Sequence, residues 1–213
     1  TGLDNGIQIL SKTNVLVAIL LLAFVFVVGP TSYILNVFTT TIGEYVSQFV
    51  NLSLSTNPFE GYEWTKNWTL FYWAWWISWS PFVGLFVASI SRGRTIREFI
   101  SGALLVPTLL TFLWFAVFGA TGLDLQLNHG VDLAGEAVTD VTTVLFHMFT
   151  YLPLGSVLSL IAVVLLSVFF VTSADSATFV LGMMTSNGNL NPPVSKKLTW
   201  GILQSVAAMI LLM

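Results

Sequence analysis

The chain has 213 residues, of which 55% are apolar and 8% are charged, whereas about a quarter of a soluble domain is typically charged. This composition indicates a membrane protein. A net charge of -3, with Lys and Arg in no continuous stripe, excludes nucleic acid as a partner, and two histidines without cysteine exclude a zinc cage.

Both ends of the sequence suggest part of a longer protein. The chain begins at Thr1 without the charged-then-apolar pattern of a signal peptide. It ends in an apolar run, residues 207–213, that is too short to cross a bilayer. We therefore expect a fragment of a larger membrane protein.

Apolar windows long enough to cross a membrane recur along the chain, since a helix needs roughly 20 such residues. This length predicts helices, because the strands of a membrane barrel need only about ten alternating residues. The predicted fold class is therefore all-α, a polytopic membrane helical bundle in a single membrane domain. The predicted spans are residues 14–37, 68–90, 99–120, 154–184 and a truncated fifth at 198–213.

A different pattern follows the first span, in residues 39–54. Apolar residues recur there at helical spacing, and polar residues occupy the opposite side. Such a pattern is typical of an amphipathic helix lying in the membrane interface. The apolar residues are Ile42, Tyr45, Val46, Phe49 and Val50, and the polar ones are Glu44, Ser47, Gln48 and Asn51.

The second span carries a stripe of aromatic residues. On a regular helix Trp68, Tyr72, Trp75, Trp76, Trp79, Phe82 and Phe86 share about a third of the circumference, and Trp73 points elsewhere. An interfacial belt would explain Trp68 and Tyr72 equally well. Trp76 and Trp79 lie roughly 12 to 17 Å further along the helix, near the bilayer midplane. Tight packing is the alternative interpretation for this pair.

A cage for an organic cation is the functional interpretation of this stripe. A quaternary ammonium group has no hydrogen to donate, so aromatic faces must hold it, each contributing up to about 2 kcal/mol when desolvated. Three rings would supply roughly 6 of the about 8 kcal/mol that micromolar affinity requires. The span from Trp68 to Ile90 contains no acid, and such a cage needs none.

The charges of the connecting loops predict the orientation. Basic residues fall on alternate connections, which the positive-inside rule places in the cytoplasm. A short aromatic segment at 145–151 is then expected to cap the outer side of the fourth span, with His147 at the surface. The basic residues are Lys12, Arg92, Arg94, Arg97, Lys196 and Lys197, and the acids of the other loops are Glu44, Glu60, Glu63, Asp124, Asp132, Glu136 and Asp140.

The aromatic run and the arginines after it resemble the signature of the betaine/choline/carnitine transporters. The run is NWTLFYWAWW at 67–76, continued by WSPFVG at 79–84 and SRGRTIREF at 91–99. The resemblance covers the whole chain, including Gly29, Pro30 and Thr31. It implies a multi-pass cell-membrane transporter, not an enzyme, built as a 5+5 inverted repeat and commonly a homotrimer, with the 39–54 helix as a contact.

The same resemblance assigns roles to the tryptophans. Trp76 matches the residue that stacks on the trimethylammonium group of the substrate. Trp73, Trp75 and Trp79 match positions around the binding site and its access path. The expected partners are a small quaternary ammonium substrate and membrane lipid.

The fourth span is interrupted by polar residues, and their chemistry leaves two interpretations open. The hydroxyls of Thr172 and Ser173, with the carbonyl of Phe169, can present oxygen ligands to a small cation. They can equally bond back to the preceding turn. The resemblance favours a sodium site at these three residues, and it implicates Phe82 in a second sodium site.

Asp175 is the one acid inside a predicted span, which by itself suggests a functional site. It could pair with an arginine from a helix outside this sequence in a cytoplasmic gate, or carry the proton in a proton-coupled relative.

We expect sodium symport of a quaternary ammonium osmolyte, most simply glycine betaine, with sodium as coupling ion and no cofactor. Proton-coupled choline transport and carnitine/betaine exchange are the alternatives. The exchanger of this family has an arginine near the start of the helix that matches the first span. Residues 14–37 contain none, which argues against an exchanger.

Other classes of membrane protein fit less well. A channel would need polar linings in several spans, and only the fourth span has them. A membrane enzyme would need a nucleophile near a base, and the candidates Asp175 and His147 fall on opposite sides of the membrane in the predicted topology.

Overall fold

A computed structural model describes residues 2–56, 62–91 and 93–211, and these residues form helices and turns without a β-strand. The predicted all-helical membrane fold is confirmed. Within the described residues, segments Ile9–Val28, Thr65–Ala88, Ile96–Asn128 and Gly155–Met184 are long and apolar enough to cross a membrane. Arg92 and Glu60, used above to predict orientation, lie outside the described residues.

The helices follow one another through short connections. The second and third membrane-length segments each contain a π-helical stretch, Thr65–Leu70 and Ser101–Leu105. In chain order the α-helices are α1 (Gly2–Val28), α2 (Thr31–Leu54), α3 (Phe71–Ile90), α4 (Ile96–Ile100), α5 (Val106–Asn128), α6 (Leu133–Thr139), α7 (Val144–Thr150), α8 (Gly155–Met184) and α9 (Val194–Leu211).

The chain divides into two compact units. The first comprises Thr1–Phe49 and Ile100–Phe170, and the second comprises Val50–Phe99 and Val171–Met213. In the first unit α1 packs on α5, and α6 and α7 pack on one another and extend the same core. Its most buried apolar side chains are Val25, Ile34, Val117, Ala120 and Phe149.

The structure divides the predicted first span, 14–37, at Gly29 and Pro30. Proline has no N–H to donate to the preceding turn, so α1 ends at Val28 and α2 begins at Thr31. A Cβ on Gly29 would lie 2.7 Å from the carbonyl oxygen of Val25 and 3.2 Å from Oγ1 of Thr121, so α1 and α5 meet where only glycine fits. The predicted amphipathic helix, 39–54, is thus the second part of a longer helix.

The predicted third span, 99–120, continues in α5 to Asn128, because Leu125 joins the core with Val131 and Leu133. Helix α6 was not predicted. Asp132 begins it as an N-cap, its Oδ1 accepting a 2.8 Å hydrogen bond from the amide of Gly135.

The polar residues of the fourth span do not break its helix, since α8 runs without interruption from Gly155 to Met184. Hydroxyls in this helix bond back to the preceding turn, as Ser167 does to Val163 at 2.8 Å and Ser176 does to Thr172 at 3.0 Å. The polar residues therefore change the chemistry of this helix without changing its course.

In the second unit, α9 begins at Val194, four residues before the predicted 198, directly after two prolines. Thr185 joins it to the end of α8. The Nε1 of Trp200 donates to Oγ1 of Thr185 at 3.0 Å, and the Lys196 ammonium donates to the Thr185 carbonyl. Lys197 lies 5.8 Å from the centre of the Phe179 ring.

Candidate functional site

The aromatic residues of α3 form a continuous ladder along one side of the helix. Trp75 lies 6.0 Å from Trp76 and 6.1 Å from Trp79 between ring centres, and Trp76 and Trp79 are 5.6 Å apart, edge to face. Tyr72 extends the ladder at 5.7 Å from Trp75. We call Trp75, Trp76 and Trp79 the indole cluster.

The geometry of the indole cluster limits where a cation could bind. Rings with centres about 6 Å apart touch one another, so no cation fits between them. The outer faces are open, however, with Trp75, Trp76 and Trp79 exposed by 47%, 58% and 40%. An organic cation would therefore lie against the outer faces of the indoles.

Trp73 stands apart from this cluster. It makes no ring contact within the described part of the chain, and its side chain is 62% exposed. Phe82 is half-buried one turn beyond Trp79 and makes no contact with the cluster among the aromatic pairs that the structure describes. Helical periodicity explains the first result, because Trp73 is about 160° from Trp75 around the axis.

Pro81 lies inside α3, and a neighbouring serine compensates for it. Proline cannot donate to the carbonyl of Ile77, the residue four positions earlier. The hydroxyl of Ser80 donates to that carbonyl instead, at 3.0 Å. The helix therefore continues past the indole cluster with the freed carbonyl satisfied, which a membrane-spanning segment requires.

A π-helical turn, Thr65–Leu70, precedes α3 and holds the first ring of the ladder. Trp68 stacks on Tyr72 with ring centres 6.2 Å apart and planes 9° from parallel. Thr65, only 2% exposed, anchors this turn through a 3.0 Å hydrogen bond from its Oγ1 to the carbonyl of Thr56. The wider turn changes the register of Trp68, which the regular wheel used above did not include.

The residues predicted to form the first sodium site all lie on α8, whereas Phe82, predicted to contribute to a second sodium site, lies on α3. Phe169, Thr172 and Ser173 follow a spacing of three and four residues, so they occupy one face of this helix. The compact units divide between Phe170 and Val171, which assigns Phe169 to the first and the two hydroxyl residues to the second. Thr172 is half-buried and Ser173 is exposed.

Asp175 lies three residues beyond Thr172 on α8, and its side chain is exposed. Its backbone carbonyl accepts a 2.8 Å hydrogen bond from Oγ1 of Thr178. Among the described residues there is no group of three or more histidine or acidic side chains that could hold a metal ion.

Two features of the structure were not anticipated from the sequence. One is the hydrogen bond by which Ser80 compensates for Pro81. The sequence signal that could have indicated it is a serine directly before a proline in a membrane helix. The other is the pairing of His147 with Glu136, because the Nδ1 of His147 contacts Oε2 of Glu136 across eleven residues and two helices. His147 is thus partly exposed, as expected, but bonded to a carboxylate.

Apolar helices of membrane-spanning length, one of which bears an exposed aromatic ladder, define a polytopic helical membrane protein. The chain belongs to the BCCT family, the betaine/carnitine/choline family transporters, whose sequence profile matches residues 1–213. This confirms the resemblance, the membrane location and the assignment to transporters and not enzymes.

Similar proteins carry more specific names. The chain is 53% identical over 214 residues to the glycine betaine transporter OpuD of Bacillus subtilis and 44% identical over 213 residues to the ectoine/hydroxyectoine transporter of Virgibacillus pantothenticus. It is also 44% identical to the glycine betaine transporter 1 of Vibrio parahaemolyticus. Matches cover 99 to 100% of this chain but only 41%, 42% and 40% of these relatives.

Proposed function

We propose that the protein containing this chain takes up glycine betaine, or a close quaternary ammonium analogue, by sodium symport. The observation that carries the proposal is the indole cluster, with three ring faces open along a helix of membrane-spanning length. Quaternary ammonium groups are held by such faces, Trp being the best of the aromatic side chains.

The chemistry of α3 supports a substrate without a net positive charge. Its sequence contains no Asp or Glu, so no carboxylate on this helix would neutralise a cationic head group. Glycine betaine carries its own carboxylate. The names of two relatives, both glycine betaine transporters, agree with this choice.

The proposed sodium ligands are the carbonyl of Phe169 and the hydroxyls of Thr172 and Ser173 on α8, with Phe82 contributing to a second sodium site. Hard oxygen ligands of this kind suit small cations. Asp175 is proposed to act in the cytoplasmic gate. Because glycine betaine has no net charge, the membrane potential would act on sodium alone, at about 2.3 kcal/mol per charge per 100 mV.

Ectoine is a second candidate substrate, supported by the 44% identity to the ectoine/hydroxyectoine transporter. Its positive charge is delocalised over a planar group that carries N–H donors. It would therefore need hydrogen-bond acceptors in addition to aromatic faces.

The test is uptake by the full-length protein reconstituted in vesicles. Radiolabelled glycine betaine is offered in sodium buffer and in potassium buffer, with excess unlabelled glycine betaine, choline, carnitine or ectoine as competitor. We expect uptake to require sodium and unlabelled glycine betaine to compete most strongly. Equal uptake in both buffers would refute sodium coupling, and stronger competition by ectoine or choline would refute the substrate assignment.

A further inference from the structure

The connection between α5 and α8 contains a carboxylate with both oxygens bonded to the next helix. Oε1 of Glu136, on α6, accepts a 2.6 Å hydrogen bond from Oγ1 of Thr143, and Oε2 contacts Nδ1 of His147 on α7. We call Glu136, Thr143 and His147 the strap. It joins two helices of seven residues each, which are too short to be stable alone.

Both helices of the strap rest on the same point of α5. A Cβ on Gly122 would lie 3.8 Å from Leu133 of α6 and 3.9 Å from Met148 of α7. Leu133 and Met148 are only 6% and 4% exposed. The residue after Met148, Phe149, is fully buried and its ring meets Phe118 of α5 edge to face at 6.3 Å. Opening this segment would therefore uncover apolar side chains.

Helix α7 is also joined tightly to the start of α8. A Cβ on Gly155 would lie 2.2 Å from the carbonyl oxygen of Phe149, so the first residue of α8 touches the backbone of α7. The preceding residue, Leu154, has a positive φ of 60°, which fixes a sharp turn between the helices. A displacement of α7 must therefore displace the first turn of α8.

From this packing we propose that Glu136 is a positioning residue whose bonds to Thr143 and His147 hold α7, and with it the first turn of α8, closed on α5. When the strap breaks, α6 and α7 separate and the start of α8 is free to tilt. The strap is thus a conformational latch at one end of a membrane-length helix. This inference goes beyond the proposed function and does not depend on which osmolyte is carried.

The test measures opening directly in the full-length protein. This chain has no cysteine, so Leu133→Cys adds the one thiol within it. The rate at which a membrane-impermeant maleimide labels position 133, read by mass spectrometry of the peptide that contains it, reports exposure of the buried face of α6. We expect Glu136→Ala to raise that rate about tenfold or more, since hydrogen bonds to a charged group are lost. Glu136→Gln should give a smaller rise, because its amide oxygen still accepts from Thr143.

The matched control is Asp124→Asn. Asp124 also pairs with a histidine, His129 at 3.4 Å, and accepts a 2.7 Å hydrogen bond from Asn128, but these bonds stay at the end of α5 and join no second helix. We expect its labelling rate to stay within about twofold of the parent. An equal rise in the control, or no rise with Glu136→Ala, would overturn the proposal.

A second measurement does not depend on the cysteine. Hydrogen exchange of the backbone amides in α6 and α7 should accelerate in Glu136→Ala and, to a smaller extent, in His147→Ala. The double variant should exchange little faster than Glu136→Ala alone, because that variant already lacks the bond to His147. Additive effects of the two substitutions would show that they act independently and would refute the strap.

Discussion

Trp76 and Trp73 are three residues apart on α3, yet their surroundings differ. Trp76 contacts both Trp75 and Trp79, whereas Trp73 makes no ring contact within the described part of the chain. Both are more than half exposed, so replacing either leaves a similar amount of buried packing. The two tryptophans therefore form a natural pair for separating binding from folding.

We predict that Trp76→Leu weakens glycine betaine binding by about 10- to 30-fold, since one ring face contributes up to about 2 kcal/mol and each 1.4 kcal/mol is about tenfold. Trp73→Leu should have the smaller effect. Tryptophan fluorescence titration of the purified full-length variants measures both affinities. Near-normal affinity of Trp76→Leu would exclude the indole cluster from the binding site, and a larger loss in Trp73→Leu would move the site from the indole cluster to Trp73.

At the scale of the element, α3 depends on the hydroxyl that compensates for Pro81. Without Ser80 the carbonyl of Ile77 has neither an amide nor a hydroxyl donor. An unsatisfied polar group away from water costs about 1–3 kcal/mol. We predict that Ser80→Ala lowers the thermal unfolding temperature of the detergent-solubilised protein.

Ser78 supplies the control for that prediction. Its hydroxyl donates to the carbonyls of Ala74 and Trp75, at 2.8 and 3.0 Å, which regular helix geometry pairs with the amides four residues later. Ser78→Ala therefore leaves no carbonyl without a donor and should change the unfolding temperature much less. If both variants unfold at the same temperature, the role given to Ser80 is wrong.

We expect the stability of the connection formed by α6 and α7 to depend on pH. Hydrogen bonds from Thr143 and from His147 hold the pKa of Glu136 below its ordinary value. A carboxyl group whose pKa is lowered by folding stabilises the folded form above its ordinary pKa of about 4.3, and that contribution is lost as the pH falls through the lowered value. The other charged groups of this region are Asp124, His129, Asp132 and Asp140.

We predict that hydrogen-exchange protection in α6 and α7, corrected for intrinsic rates, stays high down to about pH 4.3 and falls below it. In Glu136→Gln the protection should be lower at neutral pH and flat through this range. Asp140 belongs to the same connection, and hydrogen bonds from Thr142 also hold its pKa below the ordinary value. If the loss of protection in acid is the same in Glu136→Gln as in the parent protein, the group responsible is therefore Asp140 and not Glu136.

At the scale of the whole molecule, composition was sufficient to define the class. A chain with 55% apolar and 8% charged residues indicates a protein of the lipid bilayer, and only α-helices and closed β-barrels cross a bilayer. Window length then selected helices. Composition did not define the helix ends, because 14–37 is mostly apolar along its length. Pro30, which has no N–H to donate, decides where helical hydrogen bonding stops.

The sequence predicted only those features of the candidate site that follow from the periodicity of a single helix. Helical periodicity placed Trp75, Trp76 and Trp79 together and Trp73 apart, as the structure does. It could not foresee the π-helical register of Trp68, since that depends on Thr65 reaching a backbone carbonyl nine residues earlier. The sodium ligands on α8 remain predictions.

The sequence alone determined that this protein is a helical membrane protein and where its aromatic face lies, because both follow from local composition and from the period of one helix. The tertiary structure decided the rest. The close approach at Gly29 and the strap between Glu136 and His147 each depend on atoms that folding brings together from separate helices. No local pattern encodes those distances, which is why the contacts of α6 and α7 became visible only in three dimensions.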